Sequence, residues 1–342
     1  MHEITHRFVE TNGIRMHIAE CGEGPLVVLC HGFPESWYSW RHQLPALAAA
    51  GFHAVAPDQR GYGQTDAPAE IEKYTQLHLV GDIVGLLDAL GEQTTVIAGH
   101  DWGAPVAWNA GLLRPDRFRA VMALSVPFSP RGPIKPTEGM KAVYGENFFY
   151  ILYFQEPGVA EAELSADPRR ALRMFLYSGS GDPPRPDVLR PLPRSAKFLD
   201  MMTDPGEGWQ TWLTPADLDY FTAEFERATF RGGLNWYRNV DRTWELMAAY
   251  NGAKMTQPAL FVCGDKDGVI AMNPAALDNL EKNVPDLRGK VILPGCGHWT
   301  QQERPEAVNA AMIGFLKSLQ YDADRGRQVD SAGNPVSPTP SG

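Results

Sequence analysis

The chain has 342 residues and a mass of 37.8 kDa, enough for two average domains or for one large α/β domain with a sizeable core. Hydrophobic residues make up 44% and charged residues 21%, which excludes a wholly disordered, collagenous or coiled-coil chain. Lysine and arginine total 31 against 41 aspartates and glutamates, a net charge of −10 with no basic tract, so a surface this acidic repels phosphate backbones and nucleic acid is not an expected partner.

In chain order, residues 8–20 suggest a hairpin turning at Asn12-Gly13 and so an antiparallel start to a sheet. Short apolar runs follow: Leu26–Cys30, Ala54–Ala56, Thr95–Ala98, Ala120–Leu124, Ala259–Cys263 and Lys290–Leu293. Runs without alternation suit strands covered on both faces. Between them lie helical patterns, such as 77–90 with Leu79, Ile83, Leu86, Leu87 and Leu90 on one face. Strands alternating with helices predict βαβ units and a mostly parallel sheet.

The rhythm stops near Pro127. Residues 131–243 are aromatic-rich and helix-like, with a proline-dense loop at Pro183, Pro184, Pro186, Pro191 and Pro193. They read as a helical insertion, or lid, between the core segments 1–130 and 244–322. The stretch 323–342, rich in Gly, Ser, Pro and Asp, reads as a disordered tail. The N-terminus has no signal-peptide pattern and no apolar run approaches the roughly 18 residues of a membrane span. Cys21, Cys30, Cys263 and Cys296 form no CxxC pair, so neither a zinc site nor a redox motif is indicated. A cytoplasmic protein without a membrane span is expected.

The chemistry concentrates at strand ends. Gly99-His100-Asp101-Trp102-Gly103 lies between a buried strand and the helical run 104–113, the pattern of a nucleophile elbow. His31-Gly32-Phe33-Pro34 follows the earlier strand. In this fold such a loop supplies one backbone N–H of an oxyanion hole, and the residue after the nucleophile supplies the other, here Phe33 and Trp102. Asp267 follows the penultimate strand and His298 the last, so nucleophile, acid and histidine appear in the fold's order. Asp265 is the rival to Asp267 and reads as a turn residue.

Aspartate at the elbow decides the reaction class. A carboxylate attacking an sp³ carbon makes an alkyl ester whose carbonyl sits on the enzyme, where water can cleave it. A serine would make an inert ether. A leaving epoxide oxygen then needs a proton donor, and tyrosine is protonated at neutral pH. Tyr150 and Tyr153, three apart in one aromatic stretch, leave open which one serves and which one packs; a second tyrosine lies in Asn235-Trp236-Tyr237-Arg238-Asn239.

From about residue 7 to 320 the sequence resembles the epoxide hydrolases of the α/β-hydrolase superfamily, especially the hydrolase domain of the soluble enzymes. The resemblance rests on Leu29–Arg41, Gly99–Gly103, Leu152–Ala160, Asn235–Asn239 and Cys296–Gln301. It implies an α/β-hydrolase fold with a helical lid and an enzyme that adds water to an epoxide. Asp101 would be the nucleophile, His298 the base and Asp267 its orienting acid. The lid tyrosines holding the epoxide oxygen would be Tyr153 and Tyr237, with Tyr150 left to packing. Glu35 would help in the water network, His31 would be a supporting residue, and Trp102 and Trp299 would line the substrate pocket. No cofactor and no metal are implied. The partners would be a small-molecule epoxide and water, in a monomer or homodimer. The phosphatase domain of the animal soluble enzymes would be absent. The alternatives are a haloalkane dehalogenase, which shares the aspartate but lacks the tyrosine motifs, and a non-catalytic ligand receptor of the same fold.

Overall fold

The hairpin at the start of the chain forms as expected. Strands β1 (Thr5–Thr11) and β2 (Ile14–Cys21) pair antiparallel, Thr5 opposite Glu20 and Thr11 opposite Ile14. The turn residues Asn12 and Gly13 both have positive φ, 44° and 76°, the backbone that matches strand twist in a two-residue hairpin. The structure is a computed structural model that describes residues 3–184 and 186–327, with side chains described as far as 319.

Six further strands follow: β3 (Leu26–Cys30), β4 (His53–Pro57), β5 (Thr95–His100), β6 (Phe118–Leu124), β7 (Ala259–Gly264) and β8 (Leu287–Leu293). They complete an eight-stranded sheet in the order β1-β2-β4-β3-β5-β6-β7-β8. β2 meets β4 antiparallel, and every pairing from β4 onward is parallel. β3, β5 and β7 are buried at every residue, which is why their sequences show no alternation. β8 departs from that expectation. It has a neighbour on one side only, its burial alternates, and Ile292 is 48% exposed.

Helices α1 (Gln43–Ala49), α2 (Gln76–Leu90) and α3 (Gly103–Leu113) join the early strands. α2 buries Leu79, Ile83, Leu86 and Leu87 and ends at Gly91, whose φ of 74° makes the left-handed cap. Between β6 and β7 lie α4 (Pro136–Tyr144), α5 (Tyr150–Tyr153), α6 (Val159–Leu164), α7 (Pro168–Gly179), α8 (Phe198–Met201), α9 (Pro215–Ala228), α10 (Arg231–Arg238) and α11 (Val240–Leu246). After β7 come α12 (Gly268–Met272), α13 (Pro274–Asp278), α14 (Leu280–Asn283), α15 (Thr300–Glu303) and α16 (Pro305–Arg327). α16 therefore continues past residue 323, where a structureless tail was expected; residues 328–342 of that tail lie outside the described residues.

Apolar layers cover both faces of the sheet. Val28, Ile97, Val121 and Phe261 face α2, α3 and the inserted helices, while Val27, Leu29, Ala98 and Met122 pack with Leu44 of α1 and Met312 of α16. The chain leaves β3 for β4 on one side and returns to β5 on the other, so a crevice opens between the carboxyl ends of β3 and β5. His31-Gly32-Phe33 and Asp101 stand at its two edges. Among the described residues no helix is long and apolar enough to cross a membrane.

Candidate active site

Asp101 occupies the tight turn between β5 and α3 with φ of +49°, a left-handed conformation that an aspartate rarely adopts and that marks strain. The turn is possible because a side chain on Gly99 would collide with the backbone of Gly103, and one on Gly103 with the backbone of Cys30 and His31 at the end of β3. The loop after β3 comes in equally close. A Cβ on Gly32 would strike the Asp101 carboxylate, and Phe33 N–H donates to Asp101 Oδ1 at 2.7 Å. Trp102 caps α3 at its N-terminus, where helical geometry leaves N–H groups without intrahelical partners.

His298 spans two carboxylates. Its Nδ1 lies 3.0 and 3.1 Å from the Asp267 oxygens, and its Nε2 lies 3.3 Å from Asp101 Oδ2. Burial by itself would depress the imidazole, but the charges and hydrogen bonds of Asp267 and Asp101 overcome it and hold its pKa well above 6.5. Asp267 is 1% exposed and also accepts the N–H of Val269 at 2.8 Å, which fixes the carboxylate at the start of α12. Asp265 accepts the N–H of Gly295 instead, consistent with its reading as a turn residue.

Beneath the triad lies a buried polar network. Glu35 Oε2 accepts Gly32 N–H at 2.8 Å and meets His100 Nδ1 at 2.8 Å; His100 Nε2 reaches the carbonyl of His298 at 2.7 Å. Gln301 and Gln302 donate to Glu35 Oε1. Burial opposes the Glu35 charge, yet His100, His31 and the Gly32 N–H bring the carboxyl down to about 2. Glu35 thus touches both the oxyanion loop and, through His100, the histidine loop. His31 turns the other way, its Nδ1 on the Gly32 carbonyl at 2.9 Å and its Nε2 accepting Gln59 N–H at 3.0 Å. His100 and Ser125, whose hydroxyl also donates to the His298 carbonyl at 2.7 Å, were not anticipated; His100 could have been, since it sits inside the elbow motif.

A small cavity, about 70 Å³, opens over Asp101. Phe33, Tyr150, Tyr237, Asp267, His298 and Trp299 line it. Tyr153 is not brought there. Its hydroxyl donates to Glu163 at 2.7 Å, and its ring lines a separate cleft with Lys141 and Glu156. The phase of α5 is the reason. Phe154, one residue on, is fully buried against Phe33 and Tyr237, and the residue sharing its helix face is Tyr150, at i−4. Tyr150 and Tyr237 meet edge-to-face with ring centroids 6.0 Å apart. Burial first, and the Asp101 charge second, push both phenols above their usual pKa of 10, so both remain proton donors. Of the expected pocket residues, Trp299 lines this cavity. Trp102 instead lines a separate, larger cleft of about 360 Å³ and stands edge-to-face on Tyr237 at 5.0 Å.

Fold and site together define an α/β-hydrolase with an aspartate at the nucleophile elbow. The profile of the α/β-hydrolase fold matches residues 25–305. Epoxide hydrolase A of Mycobacterium tuberculosis is 48% identical over 321 residues, which cover 92% of this chain and 98% of that protein. Epoxide hydrolase 3 of Siraitia grosvenorii is 44% identical over 326 residues, 93% of this chain and 100% of that one. The solved structure of an epoxide hydrolase from an endophytic Streptomyces superposes with a TM-score of 0.90 at 48% identity, covering 93% of this chain and 96% of its own. The chain belongs to the epoxide hydrolases of the α/β-hydrolase family and is an enzyme of that class.

Proposed function

We propose that the protein converts a small-molecule epoxide to a vicinal diol in two covalent steps. In the first, an Asp101 oxygen attacks an epoxide carbon and the ring C–O bond breaks. The departing oxygen takes its electron pair and is received by the Tyr150 and Tyr237 hydroxyls. In the second, His298 removes a proton from water, which attacks Cγ of Asp101. The oxyanion collects at Oδ1, facing the N–H of Phe33 and that of Trp102. The ester bond then breaks and the diol leaves.

The observation that carries this reading is the double hold on Asp101: one oxygen on the Phe33 N–H at 2.7 Å, the other on His298 at 3.3 Å. It also explains the timing of the base. While Asp101 is ionised, His298 is held protonated. Alkylation turns Asp101 into a neutral ester, the pKa of His298 falls, and the proton it sheds equals the one the alkoxide gains. The imidazole becomes a base only when there is an ester to hydrolyse. Residues 131–243 act as the lid that brings both tyrosines over the elbow. All four cysteines are free and buried, which suits a cytoplasmic setting, as a monomer or homodimer.

The test is diol formation from a panel of epoxides with a bromoalkane as control. His298→Gln incubated with an epoxide should gain the epoxide's mass, located on Asp101, because alkylation needs no base whereas hydrolysis does. A correctly folded His298→Gln that binds substrate without adding mass contradicts the two-step route, and bromoalkane turnover by the wild type contradicts the choice of leaving group.

A further inference from the structure

The histidine loop and the neighbouring Lys266 are built against the lid by hydrogen bonds to its backbone carbonyls. His298 N–H donates to the Gly179 carbonyl at 2.7 Å, the Trp299 indole donates to the Leu176 carbonyl at 2.8 Å, and Lys266 Nζ donates to the Gly181 carbonyl at 2.7 Å. The approach is close enough that a Cβ on Gly297 would collide with Ser180 and Gly181. At the centre of this seam sits one carboxylate. Glu303, at the end of α15 and 6% exposed, accepts Gly181 N–H at 2.9 Å and Gly297 N–H at 3.0 Å on Oε2, and Trp299 N–H at 3.1 Å on Oε1. Two of these donors flank His298 directly, and the third belongs to the lid.

We infer that Glu303 is a positioning residue for the base: it fixes the backbone N–H groups of Gly297 and Trp299, the residues on either side of His298, and ties them to lid residue Gly181. The inference rests on the reading of His298 as the base of ester hydrolysis. A buried N–H left without an acceptor is costly, so the three donors hold the carboxylate and the carboxylate holds them. Neutral glutamine cannot replace it. Its single oxygen can serve Gly181 and Gly297, but its NH₂ then faces the N–H of Trp299, donor against donor. The loop must shift to relieve that clash, and His298 shifts with it.

Because His298 acts as a base only in the second step, the defect has a signature that general destabilisation lacks. In Glu303→Gln, hydrolysis of the Asp101 ester should slow by on the order of 10–100-fold, as expected for a base displaced by a fraction of an ångström to an ångström. Alkylation should stay within about twofold of wild type. Alkyl-enzyme should then accumulate by intact mass. Glu303→Asp, which keeps the charge, should recover part of the hydrolysis rate, and it carries the test if the glutamine variant does not fold. A readout independent of catalysis is amide hydrogen exchange in Glu303→Gln, where peptides covering Gly181 and Gly297–Trp299 should lose protection while β5 and β6 keep theirs. Unchanged exchange at the seam overturns the inference whether or not the wild type opens epoxides. So does an equal loss of both chemical steps that aspartate fails to relieve. A wild type that makes no diol, with exchange at the seam altered as expected, overturns the proposed chemistry and leaves the tie between lid and loop standing.

Discussion

His298 Nε2 lies 3.3 Å from Asp101 Oδ2, so base and nucleophile form an ion pair before any substrate arrives. Removing the Asp101 charge while keeping its shape imitates the alkylated enzyme. In Asp101→Asn the imidazole pKa of His298, followed by NMR with His298→Gln to assign the signal, should fall from its raised value. Its pKa is raised in the folded state, so the pairing stabilises the protein fully below the ordinary 6.5 and that contribution disappears as pH rises through the raised value. The asparagine variant should lose part of that pH dependence of the melting temperature. An unchanged His298 titration would contradict the coupling of base to nucleophile.

The two tyrosines that line the cavity should serve the first step. Losing one donor to developing oxyanion charge typically costs ~10²–10³ in rate. Tyr150→Phe and Tyr237→Phe should each slow alkylation of Asp101 on that scale, softened where the partner compensates, and the double variant should nearly abolish it. Tyr153→Phe, which removes only the hydrogen bond to Glu163, should leave alkylation nearly unchanged. Stopped-flow tryptophan fluorescence separates the steps, since Trp102 adjoins the nucleophile. A large loss in Tyr153→Phe with none in Tyr150→Phe would return the role to Tyr153.

Gly32 is constrained by distance rather than by its own φ. A methyl group there would meet the Asp101 carboxylate and push Phe33 N–H away from it. Gly32→Ala should therefore lose at least about 10²-fold in alkylation, the cost of misplacing a reacting group. Its circular dichroism should remain native. Near wild-type turnover would show that the loop yields freely.

Glu35 and His100 form a fully buried hydrogen-bonded pair, and removing one partner so that a buried group loses its acceptor costs about 1–3 kcal/mol. Glu35→Gln should lower the melting temperature by a few degrees, at about 1.4 °C per kcal/mol for a chain of this length. The carboxyl titrates near 2 rather than 4.5, so its contribution is complete above pH 4.5 and is lost as pH falls toward 2. The gap between wild type and variant should narrow on acidification. A constant gap would mean that the Glu35 charge contributes nothing to the stability.

Much of this was legible in the sequence, for identifiable reasons. Buried parallel strands announce themselves by unbroken apolar runs, as in Leu26–Cys30 and Ala259–Cys263, and the elbow by glycines on both sides of Asp101. The solvent-facing side of β8 was not, because its place at the sheet edge is a matter of topology. The choice between Tyr150 and Tyr153 failed for a similar reason: both lie within one turn, and the phase of that turn is set by where Phe154 finds a core. His100 and Glu303 act through partners far along the chain, 198 residues from His100 to the His298 carbonyl and 122 from Gly181 to Glu303, and spacing carries no trace of such contacts.

The central claim is that Asp101, and not water, attacks the epoxide. It is tested most directly by a single turnover in H₂¹⁸O with enzyme in excess. If the ester forms, the oxygen added to the diol comes from the unlabelled Asp101 carboxylate, and the heavy atom is left in Asp101, where it appears in the diol only on later turnovers. The first diol released should therefore carry no ¹⁸O, and the peptide containing Asp101 should gain 2 Da. A first-turnover diol labelled with ¹⁸O and an unlabelled Asp101 would mean that water attacks the epoxide directly, and the covalent account would be wrong.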